Sequence, residues 1–299
     1  MRVFVAGGTG ALGRALVPAL VTAGHQVTAS TRSPGKAAQL RALGAEPVVA
    51  DGLDRAAVIA AVKAAAPDVI VHEMTALSAL SSFRKFDAQF AVTNELRTKG
   101  TDYLLEAAEA SGVRRVVAQG YTGWPNQRSG GPVKTEDDPL DPTPAAEMRE
   151  SLDAIRHLES AVTGADWTEG IVLRYGGFYG LGTSLAPGGE QFEMLRKRKY
   201  PVVGNGAGVW SFVHIADAAE ATVAAVEHGK RGVYNVVDDE PAPVAEWLPA
   251  LAQAIGAPKP MRVPRLVGRL LAGEAAVVMM TEIRGASNAK AKRELGWHP

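Results

Sequence analysis

Gly7, Gly10 and Gly13 stand three residues apart, directly after the apolar run Val3 Phe4 Val5 Ala6 and directly before an alanine- and leucine-rich stretch. Glycines at this spacing let a chain turn tightly, let its backbone approach a pyrophosphate and let the following helix pack close to the strand. The anion then meets the amides at the helix N-terminus, which have no partners within the helix. Gly7 Gly8 Thr9 Gly10 Ala11 Leu12 Gly13 therefore reads as a dinucleotide-binding turn, with Gly7, Thr9, Gly10, Ala11, Leu12 and Gly13 as its contacts.

The adenosine end of such a cofactor is read at the close of the second strand, where a site for NAD(H) carries a carboxylate for the ribose hydroxyls. This chain has Ser30 Thr31 Arg32 Ser33 Pro34 Gly35 Lys36 there instead. Hydroxyl donors and two cations suit a 2′-phosphate, which an arginine grips in bidentate fashion. The expected cofactor is NADP(H) in preference to NAD(H), with Arg32 and Lys36 on the phosphate.

Such a turn must be held by alternating strands and helices, and the sequence supplies them. Strand-like runs at residues 3–6, 26–30, 46–50, 68–72, 115–119 and 168–174 alternate with helical stretches at 11–23, 36–43, 55–65, 88–111 and 144–162. That alternation predicts an α/β fold, a doubly wound parallel sheet of Rossmann type, with ligands at the carboxyl ends of its strands. Beyond Arg174, glycine and proline cluster in 176–189 and 204–208, and helices are expected at 215–227, 244–255 and 289–295. Residues 1–175 are thus expected to form the dinucleotide-binding core, with return elements over about 209–237. Residues 176–208 and 238–299 are expected to form a smaller C-terminal substrate lobe, lined in part by Trp210, Met279 and Met280.

Composition removes several functions. The 32 basic and 32 acidic residues cancel, so neither nucleic acid nor an anionic membrane is an expected partner. With no cysteine there is no disulfide, thiolate metal site or cysteine nucleophile, and no metal site is expected. The apolar run 276–280 falls far short of the ~20 residues of a membrane span, and the run at the start is too short for a signal-peptide core. A cytoplasmic protein acting on a small molecule follows as the expectation.

The glycine turn and several later segments resemble the short-chain dehydrogenase/reductase superfamily, in its extended epimerase/dehydratase branch or a neighbouring atypical group. By that resemblance Asp51, Gly52 and Leu53 receive the adenine, and Met74, Thr75 and Ala76 lie along the ribose and pyrophosphate. Leu173 Arg174 Tyr175 Gly176 Gly177 Phe178 Tyr179 Gly180 is similar to the segment whose backbone meets the nicotinamide amide, which implicates Gly176 and Phe178. Gln119, at the end of the fifth strand, joins the cofactor contacts, and Tyr175 stands where proline is usual. Ser211 Phe212 Val213 His214 Ile215 Ala216 Asp217 and Glu294 Leu295 Gly296 Trp297 resemble later family motifs. His72 and His214, each alone in apolar surroundings, read as packed or backbone-bonded histidines.

Catalysis in that superfamily centres on a Tyr-x-x-x-Lys pair, whose lysine lowers the tyrosine pKa. None of Tyr103, Tyr121, Tyr175, Tyr179, Tyr200 and Tyr234 is followed by lysine four residues on. Aligning Leu158 Glu159 with the family's helix puts Ser151 and Ile155 at the two positions. Tyr121 or Thr122 occupies the place of the family's serine or threonine after the fifth strand, and the Gly100 Thr101 pair aligns Arg97 rather than Asn94 with its asparagine. Tyr121 is the candidate proton donor or polarising group and Thr122 the candidate for positioning substrate, with Glu147, Glu150 or Asp153 as alternative acids. The implied activity is an atypical NADP(H)-dependent oxidoreductase reducing a carbonyl, enal or imine, or running in reverse. A nucleotide-sugar epimerase or dehydratase, or a non-catalytic NADP(H) sensor, are the alternatives. A homodimer through residues 88–111 and 144–162 is a further expectation.

Overall fold

The computed structural model describes residues 1–76 and 83–299. Seven parallel strands make the central sheet: β1 (Arg2–Ala6), β2 (Gln26–Thr31), β3 (Glu46–Val49), β4 (Val69–His72), β5 (Arg115–Tyr121), then Glu169–Tyr175 and Gly232–Val236. Their order across the sheet is Gly232–Val236, Glu169–Tyr175, β5, β4, β1, β2, β3. The chain leaves β1 in one direction and returns to β4 on its other side. This reversal is where a doubly wound sheet opens a crevice at its carboxyl edge.

Side chains along these strands alternate between two buried layers. Val3, Val5, Val69, Val71, Val117, Ile171 and Leu173 pack with α1 (Ala11–Thr22) and α8 (Ile215–His228). Phe4, Ala6, Ile70, Val116, Ala118 and Val172 pack with α3 (Arg55–Ala65), α5 (Thr101–Ala110) and α6 (Arg149–Gly164). Each such valine, leucine or isoleucine contributes about 1.5–3 kcal/mol through burial. The short α2 (Ala37–Ala42) buries Leu40 under the first layer.

A second cluster builds the lobe from Trp124, Met148, Leu195, Tyr200, Trp210 and Leu248, with Val277 to Met280. It draws on α4 (Phe86–Glu95), α7 (Glu190–Arg196), α9 (Val244–Ala254) and α10 (Arg265–Thr281). The apolar run at 276–280 is the buried end of α10, which is kinked at Gly273. Among the described residues, no helix is long and apolar enough to cross a membrane.

Three features differ from the sequence expectation. The helix expected over 88–111 is broken into α4 and α5 by a π-helical turn, Leu96–Gly100. Threonines within and just after the turn bond back to earlier carbonyls: the Thr98 and Thr101 hydroxyls donate to the carbonyls of Asn94 and Arg97 at 2.9 and 2.7 Å. The helix expected from 144 begins at Arg149, where the Asp87 carboxylate accepts from the Glu150 and Ser151 amides at 3.0 and 2.9 Å. Finally, Ala291, Leu295 and Trp297 pack into the layer between the sheet and α8, so α11 (Ala289–Leu295) covers the core rather than extending the lobe.

Candidate active site

The glycine turn forms because alternatives collide. Gly7 takes φ +96°, and a methyl group there would come within 2.8 Å of the Glu73 carbonyl. At Gly13 a methyl would come within 2.7 Å of the Gly7 and Gly8 carbonyls. The loop is tied to β2 by Gly7 N–H donating to Ser30 Oγ at 3.2 Å and by a 3.3 Å contact between the Thr9 and Thr31 hydroxyls. Gly10 caps α1 without a side chain over its first amides, and no acidic residue lies in that first turn. Gly10 and Ala11 are exposed while Leu12 anchors the turn in the core. A bare, positively polarised helix start behind a glycine cradle fits a pyrophosphate. Arg14, one turn along, donates to the Gly182 carbonyl at 3.2 Å and so links α1 to the glycine-rich loop of the lobe. That contact was not foreseen from the sequence.

At the adenosine end, Ser30 and Thr31 are buried, whereas Arg32 and Lys36 are exposed. Lys36 closes a 3-10 turn, Pro34–Lys36, ordered by the Ser33 amide donating to Thr31 Oγ1. Among the described residues neither cation makes an ion pair. Asp51 is exposed, with Oδ1 accepting from the Leu53 amide at 3.0 Å. Met74 and Leu96 close over Gly52, and the Ala76 amide donates to Thr93 Oγ1. Thr75 is half-buried beside them.

Both lone histidines are structural, as the sequence suggested. His72 Nδ1 accepts from the Met74 amide, so Nε2 carries the proton toward Thr101 Oγ1 at 3.2 Å. Burial holds His72 neutral, its pKa lowered to about 4. His214 Nδ1 accepts from the Ala216 amide and so caps α8.

Nothing in the sequence singles out the residue after His72. Glu73 is buried, and neither of its carboxyl oxygens has a hydrogen-bond partner among the described residues. Burial raises its pKa well above the ordinary carboxylate range. The buried Tyr175 phenol acts on this carboxyl but is turned to Thr222 Oγ1 at 2.6 Å. Beyond Tyr175, Gly176 lies against Ser211, and the Phe178 ring packs on Tyr175 with centroids 5.4 Å apart.

The chemistry-bearing end lies at the carboxyl edge of β5. Gln119 is half-buried there, and Tyr121 pairs in register with Tyr175. Tyr121 packs on Trp124 with centroids 6.4 Å apart. Burial raises its phenol to about 12, while the charge of Arg97 pulls it downward. Arg97, itself buried in the π turn, is held over Phe90 at 6.0 Å. Thr122 is 2% exposed, and its hydroxyl accepts from Asn126 Nδ2 at 3.0 Å while its amide donates to the Tyr175 carbonyl. This binds Thr122 into the loop after β5.

The usual Tyr and Lys positions are sealed. Ser151 is fully buried, donating to Asp87 Oδ1 at 2.6 Å and accepting from Asn94 Nδ2 at 3.1 Å. Ile155 packs into the lobe cluster. Glu147 accepts from the Glu274 amide, Glu150 is exposed, and Asp153 pairs with Arg156. None of the three is brought to Tyr121. Arg97 is instead the cation whose charge acts on Tyr121; the sequence aligned it with the family's asparagine but left a π turn, and so its burial, without a periodic signal.

The chain is similar to known proteins along most of its length. Residues 3–237 match the model of the NAD dependent epimerase/dehydratase family. The chain is 44% identical over 304 residues to a 3-diazoavenalumate denitrifying reductase from a Streptomyces species, spanning 100% of this chain and 96% of that protein. It is 30% identical over 260 residues to a 4-hydroxy-2-methyl-3-oxo-4-farnesyl-3,4-dihydroquinoline-1-oxide ketoreductase of Stigmatella aurantiaca, spanning 86% and 74% of the two chains. Among solved structures it resembles the UDP-glucose 4-epimerase of Thermus thermophilus in complex with NAD. That likeness has a TM-score of 0.75 and 25% identity, covering 100% of this chain and 94% of the other.

Proposed function

The chain belongs to the NAD dependent epimerase/dehydratase family and is an NAD(P)-dependent oxidoreductase of the atypical short-chain dehydrogenase/reductase type, and from that premise we propose that it uses NADP(H) to reduce a carbonyl or diazo group on a small organic acid. The observation that carries the chemistry is the Tyr121 phenol beside the Arg97 cation, at the end of a sheet whose usual Tyr and Lys positions are Ser151 and Ile155.

In this reading Gly7, Thr9, Gly10, Ala11, Leu12 and Gly13 hold the pyrophosphate, while Arg32 and Lys36 hold the 2′-phosphate. Asp51, Gly52 and Leu53 receive the adenine; Met74, Thr75 and Ala76 line the ribose; Gln119, Gly176 and Phe178 frame the nicotinamide. When bound, the reduced cofactor supplies a hydride to an electrophilic substrate carbon. Tyr121 keeps its proton at Oη through the neutral range and would give it to the oxygen of a carbonyl or to the carbon of a diazo group. A carbonyl then gains a hydride on carbon and a proton on oxygen. A neutral diazo compound gains one hydride and one proton on carbon, its C–N bond breaks, and dinitrogen leaves with the bonding electron pair. Thr122, tied to Asn126, fixes the loop that carries Trp124 along the substrate and so positions substrate indirectly.

The name of the Streptomyces relative supports the diazo substrate, and that of the Stigmatella relative supports the carbonyl. Epimerisation is disfavoured because it relies on the tyrosine and lysine that Ser151 and Ile155 replace. A homodimer would use the α5 and α6 surface, where the neighbouring Trp167 is 37% exposed. The decisive experiment follows NADPH oxidation with a panel of diazo and keto aromatic acids, measuring nitrogen release for the former. Turnover with NADPH is the expected result; cofactor binding without turnover on any member would defeat the reading.

A further inference from the structure

Arg97 is a buried cation with no ion-pair partner among the described residues. It is 5% exposed, and its Nη1 has no hydrogen-bond partner among the described residues. The groups that act on it electrostatically are Tyr121 and His72, and both are uncharged at neutrality. Three residues earlier, Asn94 commits Nδ2 to Ser151 and leaves Oδ1 equally without a partner.

A buried charge lacking a counter-ion is unfavourable, and an apolar side chain of similar shape would serve the fold as well or better. Such a residue is useful when the counter-ion arrives with a ligand. The planar guanidinium fork matches a carboxylate through two parallel N–H···O bonds. The glycine cradle and the start of α1 at β1 serve the cofactor pyrophosphate, while Arg97 lies over Phe90, whose ring stacks on Phe86, and Phe86 in turn meets Trp124, the neighbour of Tyr121 at the end of β5. The aromatic faces at this end, Phe90, Tyr121 and Trp124, favour a flat, unsaturated skeleton.

We infer that Arg97 is the receptor for the carboxylate of a planar conjugated acid, set beside Tyr121 so that the reacting group falls at the phenol. This rests on the reductase reading for the location of the substrate, yet it can be tested without turnover. Calorimetry on the protein saturated with NADP+ compares trans-cinnamate with the neutral trans-cinnamamide. Wild-type protein is expected to prefer the acid at least ~10-fold, and Arg97→Met to weaken the acid by roughly 30- to 100-fold while leaving the amide unchanged. Arg97→Lys, which keeps charge but loses the fork, falls between. Arg97→Met is also expected to melt no lower than wild type, since removing a buried charge without a counter-ion offsets the loss of its contact with the Phe90 ring.

Equal weakening of acid and amide, no preference in the wild type, or a lower melting temperature for Arg97→Met would each overturn the receptor role. A protein that discriminates the two ligands but oxidises no NADPH fails as a reductase and keeps the receptor. One that reduces carbonyl or diazo compounds without favouring acids does the reverse.

Discussion

Arg97 and Tyr121 each oppose what burial does to the other. Burial raises the Tyr121 phenol to about 12 while the guanidinium draws it down, and burial lowers Arg97 to about 10 while Tyr121 draws it up. Both stay in the states a proton donor and its electrostatic support require at neutral pH.

Tyr121→Phe removes the proposed proton donor and keeps the ring against Trp124. Reduction of a ketone is expected to slow by about 10²- to 10⁴-fold with NADPH binding unchanged. With the phenol titrating near 12, its ionisation places no fall in activity around neutrality. A neutral-range fall in the wild type that disappears in Tyr121→Phe would contradict the assignment.

Arg32→Ala and Lys36→Ala each remove an exposed cation from the β2 end. Each is expected to raise the Kd for NADPH by roughly 10-fold and to leave NADH nearly unaffected, the usual scale for a charge-assisted contact to phosphate. Fluorescence titration of both nucleotides checks it, and equal losses for the two would remove the 2′-phosphate from this turn.

Glu73 makes stability depend on pH in a defined direction. Its folded pKa lies above its unfolded value, so the stability associated with the neutral carboxyl is fully present below about pH 4.5 and declines as pH rises toward the folded pKa. Over that window the slope is about 1.4 kcal/mol per pH unit. Glu73→Gln is expected to match the wild type near pH 4 and to exceed it in denaturant titrations at pH 8. A constant difference across pH would exclude Glu73 as the cause.

His72 gives the opposite slope. Lowered from 6.5 to about 4, it contributes stability that is present above pH 6.5 and lost as pH falls toward 4, amounting to about 3 kcal/mol in full. The NMR titration of its ring should show no protonation at pH 5.5. A midpoint near 6.5 would show that the ring is solvated.

Gly7→Ala places a methyl on a φ of +96° and against the Glu73 carbonyl. Strain of about 1–3 kcal/mol, together with the displaced turn, is expected to abolish dinucleotide binding. Retained tight binding would show that the turn relaxes at little cost.

The sequence by itself determined the dinucleotide turn, the alternation of strands and helices, and the loss of the Tyr-x-x-x-Lys pair. Each is local: glycine spacing, side-chain periodicity and residue identity can be read within a few positions. Of the candidate site, the glycine turn was legible for the same reason, and Arg32, Lys36 and Tyr121 are nominated on residue identity alone. Tertiary structure decided what surrounds them. The register of β5 against Glu169–Tyr175 sets Tyr121 opposite Tyr175, and the fold buries Glu73 near the Tyr175 phenol. It also returns α11 to the core through Leu295 and Trp297. Above all, the π turn between α4 and α5 carries Arg97 to Tyr121. The burial of Arg97, and its lack of a counter-ion among the described residues, depend on residues distant in sequence, so they emerge only once the chain is folded.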